Sequence, residues 1–163
     1  MTRLLSETIV RDLQPEDWPR VAAIFEQGMA TGNATFETEV PSWKAWDAAH
    51  TEIRLAATWD DELAGWAALS PYSERRCYRG VAEVSVYVAE RFRGQGVGRA
   101  LLEQLVVRSE AAGFWTLQAG IFPENKPSLR LHLDFGFRLV GVREGLGEVG
   151  GVWRDVLLLE RRA

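Results

Sequence analysis

The stretch Arg91 to Arg99, read R-F-R-G-Q-G-V-G-R, constrains this chain more than any other. It follows the apolar run Val81 to Ala89, which has the character of a buried strand. It leads into Val97 to Ala112, where apolar residues recur at helical spacing. Strand, glycine-rich turn and helix start together make an anion site. The first backbone N–H groups of a helix lack intrahelical partners and carry partial positive charge. Gly94, Gly96 and Gly98 allow a phosphate to approach that backbone, and Arg91, Arg93 and Arg99 add charge and bidentate donors. A phosphate-bearing ligand is expected. A nucleoside-triphosphate loop is excluded, because no Gly-Lys-Ser or Gly-Lys-Thr occurs. A dinucleotide fingerprint needs its third glycine at position 99, which is Arg. A plain strand-to-helix connection is the alternative that the turn alone leaves open.

The pattern around this turn predicts one α/β domain over residues 1–163. A first strand over Ile9 to Leu13 precedes a helix that starts at Pro15, Glu16 and Asp17, buries Trp18, Val21, Ile24 and Phe25, and ends at Gly28 and Gly32. Ser42 caps a short second helix reaching toward His50. Arg54 to Trp59 and Leu63 to Ser70 form an antiparallel hairpin, with Asp60 to Glu62 as its turn. After a polar loop over Pro71 to Gly80 come the central strand and the helix from Val97, ended by Gly113. Trp115 to Phe122 is a strand and Pro127 to Phe135 a helix. Phe137 to Glu144 and Val152 to Glu160 make a closing hairpin around Gly145, Gly147, Gly150 and Gly151. The fold class is a mixed, mostly antiparallel sheet with helices on both faces.

Seven Trp and seven Phe indicate a packed globule rather than a disordered chain. The net charge of −4 argues against a nucleic-acid partner, and the locally concentrated arginines suit one small anion. No apolar run reaches the length of a membrane span, and M-T-R-L-L-S-E-T lacks a signal-peptide core. The single cysteine, Cys77, excludes an internal disulfide and a multi-cysteine metal site, so a cytoplasmic location is expected. His50 and His132 lie too far apart, without acids at ligand spacing, for a metal site.

Several separated motifs resemble the GNAT superfamily of N-acetyltransferases. Arg93, Gly96 and Gly98 fill R-x-x-G-x-G, its acyl-CoA pyrophosphate loop. Asn125, Ser128, Gly136 and Phe137 fill the second pattern, within P-E-N-K-P-S-L-R-L-H-L-D-F-G-F. T-G-N-A-T-F-E-T, A-E-V-S-V-Y-V and W-R-D-V are similar to the phosphinothricin N-acetyltransferase branch, and the likeness runs from about Ile9 to Leu159. It implies acetyl-CoA as acyl donor and a small-molecule amine as acceptor. It also implies two strands, Val81–Ala89 and Trp115–Phe122, that splay apart and admit pantetheine beside Val86, Tyr87 and Val88. The turn Arg93, Gly94, Gln95, Gly96, Val97, Gly98 and Arg99 would hold the pyrophosphate, and Asn125 and Ser128 the pantetheine arm. Either of the last two residues serves equally as a turn or helix cap.

An amine attacks a thioester only when neutral, so a base must take its proton. Glu83 interrupts an apolar strand at the place where the branch carries its proposed base. A buried carboxylate there would gain basicity from desolvation. A solvated strand face, or pairing with an arginine, is the other reading. His132 stands where many relatives have a tyrosine that protonates the departing thiolate; packing on a helix face is its alternative. Cys77 is not needed as a nucleophile when the amine attacks directly. The acceptor side is expected around Thr35, Phe36 and Glu37, and around Arg75, Arg76 and Tyr78, where an arginine would clamp a carboxylate. Trp153 and Asp155 resemble an element that shapes the site across a homodimer interface, with core packing of Trp153 as the alternative. The function expected is acetylation of a small amino acid or analogue. Acetylation of a polyamine, an aminoglycoside or a protein N-terminus is the alternative acceptor chemistry, and a noncatalytic acyl-CoA-binding module the alternative class.

Overall fold

The computed structural model describes residues 7–163. Most of the N-terminal octapeptide read for targeting therefore lies outside the described residues. The elements are β1 (Thr8–Asp12), α1 (Trp18–Ala30), α2 (Trp43–Ala49), β2 (Arg54–Trp59), β3 (Glu62–Pro71), β4 (Val81–Val88), α3 (Val97–Ala111), β5 (Thr116–Ile121), α4 (Lys126–Asp134), β6 (Arg138–Val149) and β7 (Val152–Arg162). The strands form one seven-stranded sheet in the order β1-β2-β3-β4-β5-β7-β6. Every neighbouring pair is antiparallel except β4 with β5. No helix among the described residues is long and apolar enough to cross a membrane.

Strand alternation sends successive side chains to opposite faces. On one face Trp66 and Tyr87 stack with Phe25 of α1, with ring centroids 4.7, 5.1 and 6.0 Å apart. Trp46 of α2 meets Trp66 edge-on at 5.5 Å. On the other face a Cβ at Gly65 would lie 3.0 Å from Leu101 and 3.1 Å from Val97, both of α3. Each helix thus buries its apolar side against one face of the sheet, and pairs such as these contribute about 0.5–1.5 kcal/mol each beyond their area.

Four local expectations need correction. Helix α1 runs through Gly28 to Ala30, because Gly28 sits in a packed interface: a Cβ there would meet the Tyr87 ring at 2.6 Å. The β2–β3 turn is confined to Asp60 and Asp61, both at positive φ, and Glu62 already begins β3. The loop before β4 contains a short 3-10 turn at Arg76–Tyr78. Strand β6 continues through Gly145 and Gly147, since a bulge between Arg143 and Gly147 keeps it paired with β7. Only Gly150 and Gly151, at φ 57° and 79°, form the hairpin turn.

Candidate acyl-transfer site

Strands β4 and β5 pair only at Val81–Thr116, Ala82–Leu117 and Glu83–Gln118. Beyond those residues they separate, as the sequence resemblance implied. On its other side β4 stays paired with β3 as far as Val88–Gly65. Tyr72 N–H donates to the Val81 carbonyl, and Ala89 N–H to that of Ala64. Odd-numbered residues of β4 therefore point their backbone groups at β3. By the two-residue alternation, the N–H and C=O of Val84, Val86 and Val88 face the gap. That free strand edge is a template for an extended amide chain.

The glycine-rich turn sits at the same end of β4. Gly94 and Gly96 take φ of 74° and 89°, the left-handed region that glycine enters without steric penalty. Gly96 caps α3, and the first intrahelical bond runs from Ala100 N–H to Gly96 O at 3.1 Å. The N–H groups of Val97, Gly98 and Arg99 are thus left without helical partners. Gly98 lies inside the first turn, where a Cβ would come 3.3 Å from Leu131. Gln95 donates its side-chain amide to the Arg91 carbonyl at 3.1 Å, which closes the turn. The three arginines differ. Arg91 pairs with Glu62 at 3.0 Å and Arg99 with Asp134 at 3.0 Å. Arg93 reaches only the Val88 carbonyl, at 3.4 Å, and makes no ion pair among the described residues.

A cavity of about 360 Å³ opens beside the separated strands. Glu83, Val84, Ser85, Val86 and Tyr87 of β4 form one wall, and Gln118 to Phe122 another. Asn33 to Glu37, Asn125, Ser128 and His132, and Arg143 and Leu146 of β6 complete it. Glu83 is exposed, which corrects the expectation of a buried carboxylate; it accepts a hydrogen bond from Gln118 Nε2 at 3.3 Å. Phe36 and Glu37 lie on the cavity wall as expected. Arg75 and Tyr78 do not: they stack on each other, the guanidinium 5.4 Å from the ring, in the 3-10 turn. The cation on the wall is instead Arg143, exposed and in no ion pair among the described residues. Sequence reading missed it because it lies on β6, far along the chain from the other wall residues. Gln118 was also missed, though as the one polar side chain between Leu117 and Ala119 it carried a signal.

Buried groups in this wall have defined states. His132 is 4% exposed, and its Nδ1 lies 2.7 Å from the Ser128 carbonyl oxygen. Nδ1 therefore carries the proton and Nε2 the lone pair. Burial pushes the His132 pKa down, against the opposing effect of that hydrogen bond. Burial pushes the Tyr87 phenol up to about 12, although a hydrogen bond with Thr35 acts the other way. Asn125 caps α4, its Oδ1 accepting from Ser128 N–H at 3.3 Å, while its Nδ2 donates to the Asn33 carbonyl at 3.2 Å. Trp153 is 66% exposed, which overturns core packing. Asp155 accepts from the Gly145 N–H at 2.8 Å and so steadies β6.

An opened strand pair beside a glycine-rich helix start, with a carboxylate at the fork, defines an acyltransferase that receives its donor along the sheet edge. Residues 10–137 match the acetyltransferase (GNAT) family, and the chain belongs to it. It is an acetyl-CoA-dependent N-acetyltransferase. The chain is 35% identical to a phosphinothricin N-acetyltransferase of Alcaligenes faecalis, over 93% of its own length and 81% of the relative's. It is 32% identical to an L-methionine sulfoximine/L-methionine sulfone acetyltransferase of Pseudomonas paraeruginosa, covering 93% and 92% of the two chains. Among solved structures, a phosphinothricin acetyltransferase from Sinorhizobium meliloti in complex with acetyl-CoA superposes with a TM-score of 0.87. The identity is 30%, and the match covers 95% of this chain and 88% of that one.

Proposed function

We propose that this enzyme, acting as one domain, acetylates the α-amino group of a small amino acid or analogue, of the phosphinothricin or methionine sulfoximine kind. The observation that carries the reading is the charge arrangement of the cavity. Arg143 on one wall complements a carboxylate, while Glu83 and Glu37 on the others complement an ammonium. A zwitterion satisfies both. A polyamine would leave Arg143 facing positive charge.

The turn from Arg93 to Arg99 holds the pyrophosphate through the free N–H groups of α3, and Arg93 supplies the uncommitted charge. Pantetheine lies along the open edge of β4, and Val86 and Val88 aim the thioester carbonyl. Glu83 takes the proton from the substrate ammonium, directly or through water. The amine lone pair then forms a bond to the carbonyl carbon, and a β4 backbone N–H donates to the developing oxyanion. Collapse breaks the C–S bond, the thiolate of coenzyme A departs, and one of the two protons left on nitrogen passes to solvent, the other staying as the amide N–H. A thiol has a pKa near about 8.5, so the thiolate leaves without a strong acid. His132, neutral and with Nδ1–H committed to Ser128, serves as a hydrogen-bond acceptor in the wall rather than as the proton donor.

We also propose a homodimer formed through the outer side of the β6–β7 hairpin. Val142, Val152 and Trp153 are exposed there, Trp153 most of all at 66%. A monomer in sedimentation equilibrium at micromolar concentration would overturn it.

The acceptor assignment is tested by following thiol release with L-phosphinothricin, methionine sulfoximine, methionine sulfone, spermidine and a short peptide. The amino-acid analogues should turn over best, and Arg143→Ala should raise their KM by about ten-fold or more. Preference for spermidine or the peptide would defeat the reading. Acetyl-CoA binding without thiol release for any amine would instead mark a binding module.

A further inference from the structure

The acceptor-side loop, residues 33–37, is held partly by wall residues, with Asn125 Nδ2 donating to the Asn33 carbonyl, and partly by a side chain that does not line the cavity. Arg154 of β7 extends its guanidinium beneath it. Nη1 donates to the Gly32 carbonyl at 2.7 Å; Nη2 donates to Asn33 Oδ1 at 2.8 Å and to Glu124 Oε2 at 3.1 Å. The guanidinium also lies 4.2 Å from the centre of the Phe122 ring. Its side chain is only 16% exposed; the bond to Asn33 is part-buried, while those to Gly32 and Glu124 lie at the surface. The far end of the loop is fixed differently. Phe36 meets Phe122 edge-on at 4.9 Å and fills the notch at Gly147, where a Cβ would lie 2.7 Å from its ring. Between these two anchors stand Thr35 and Glu37. Both residues line the cavity.

We propose that Arg154 is a positioning residue for acceptor binding: it sets the 33–37 loop against the cavity and so determines which amines fit. The proposal rests on the reading that this loop forms the acceptor side. The geometry requires arginine in particular. One planar guanidinium bridges the loop, the β5–α4 connection and an aromatic face at once, whereas an ammonium offers a single point of attachment. Releasing the loop restores its conformational freedom, which each acceptor molecule must then remove on binding. Among the described residues, no hydrogen bond or ion pair joins Arg154 to the turn at residues 93–99.

Steady-state kinetics for both substrates on Arg154→Met, Arg154→Lys and Gly147→Ala test the assignment. Methionine keeps the packing on Phe122, lysine keeps the charge, and Gly147→Ala displaces Phe36 from the strand position opposite Arg154 while leaving the guanidinium's own bonding groups in place. Acceptor KM should rise about ten-fold in Arg154→Met, less in Arg154→Lys, and also in Gly147→Ala, with acetyl-CoA KM unmoved. Amide hydrogen exchange should quicken across residues 32–37 and stay unchanged across 93–99. Equal increases in both KM values, or an acceptor KM that does not move, would reduce Arg154 to a general brace and overturn the proposal. Arg143→Ala serves as the internal reference. Where it raises acceptor KM and the Arg154 variants do not, the acceptor reading stands and only the clasp fails. If Arg143→Ala and all three other variants are inert, both ideas fall.

Discussion

The donor half and the acceptor half of the site are built on opposite plans. The donor half is local. Strand β4, the turn at Gly94 and Gly96 and the start of α3 follow one another directly, and the ligand contacts they offer are backbone N–H and C=O groups. The acceptor half is assembled from a distance. The cavity's side chains come from the loop after α1, from β4, β5 and α4, and from β6 and β7, and Arg154 of β7 hydrogen-bonds the start of that loop. A backbone site is insensitive to which side chains surround it, so long as glycine supplies the required φ. A side-chain site changes its preference with each substitution. The same fold can therefore keep its donor while its acceptor varies.

Three measurements bear on that contrast, the largest effect first. Glu83→Gln should lower kcat by about 10²–10⁴-fold while leaving acetyl-CoA affinity intact, because it removes the proton acceptor and no donor-side contact. Activity unchanged across pH would exclude Glu83 as the base and leave the acceptor wall without its central group. Gly96→Ala should do the reverse. A side chain at φ 89° costs about 1–2 kcal/mol, so acetyl-CoA KM should rise about ten-fold with acceptor KM unaltered. A change in acceptor KM instead would show that the halves are coupled.

The third measurement is the pH dependence of folding. Burial lowers the pKa of His132 and of His50 from the unfolded value of 6.5, so the unfolded chain binds more protons than the folded one below about pH 7. Stability contributed by the neutral imidazoles is present above that value and is lost as pH falls toward the folded pKa values. The melting temperature should therefore drop between pH 7 and pH 5, and less steeply in His132→Asn. An equal slope in that variant would place the proton uptake at His50 or elsewhere.

What was legible in the sequence follows the same division. Apolar runs and helical spacing placed most of the elements, whereas Ser42 marked α2 and β6, which buries no residue, was read only as far as Glu144. The glycine-rich turn and the helix start behind it were readable because they are contiguous in the chain. Glu83 and His132 were singled out as a polar residue in an apolar strand and a motif position; both line the cavity, but their environments were not legible. Whether Glu83 is open or closed depends on how far β5 diverges, which no local pattern encodes. Arg75 was a reasonable carboxylate partner by charge and chain proximity. Its stacking on Tyr78 and the arrival of Arg143 from β6 are consequences of tertiary packing. Gly28 and Gly147 misled for one reason: both were read as breaks, and both are notches that admit the rings of Tyr87 and Phe36.

The sheet order carries one further consequence. Strand β6 has β7 as its only neighbour in the sheet, and β7 lies between it and β5. During synthesis β6 emerges first and must wait, unmoored, until the later strand arrives to seat it. The segment 81–111 is by then already available to form the glycine-rich turn proposed to hold the cofactor. A ribosome-bound chain would thus possess a grip for the cofactor before it possesses any selectivity for what the acetyl group is passed to.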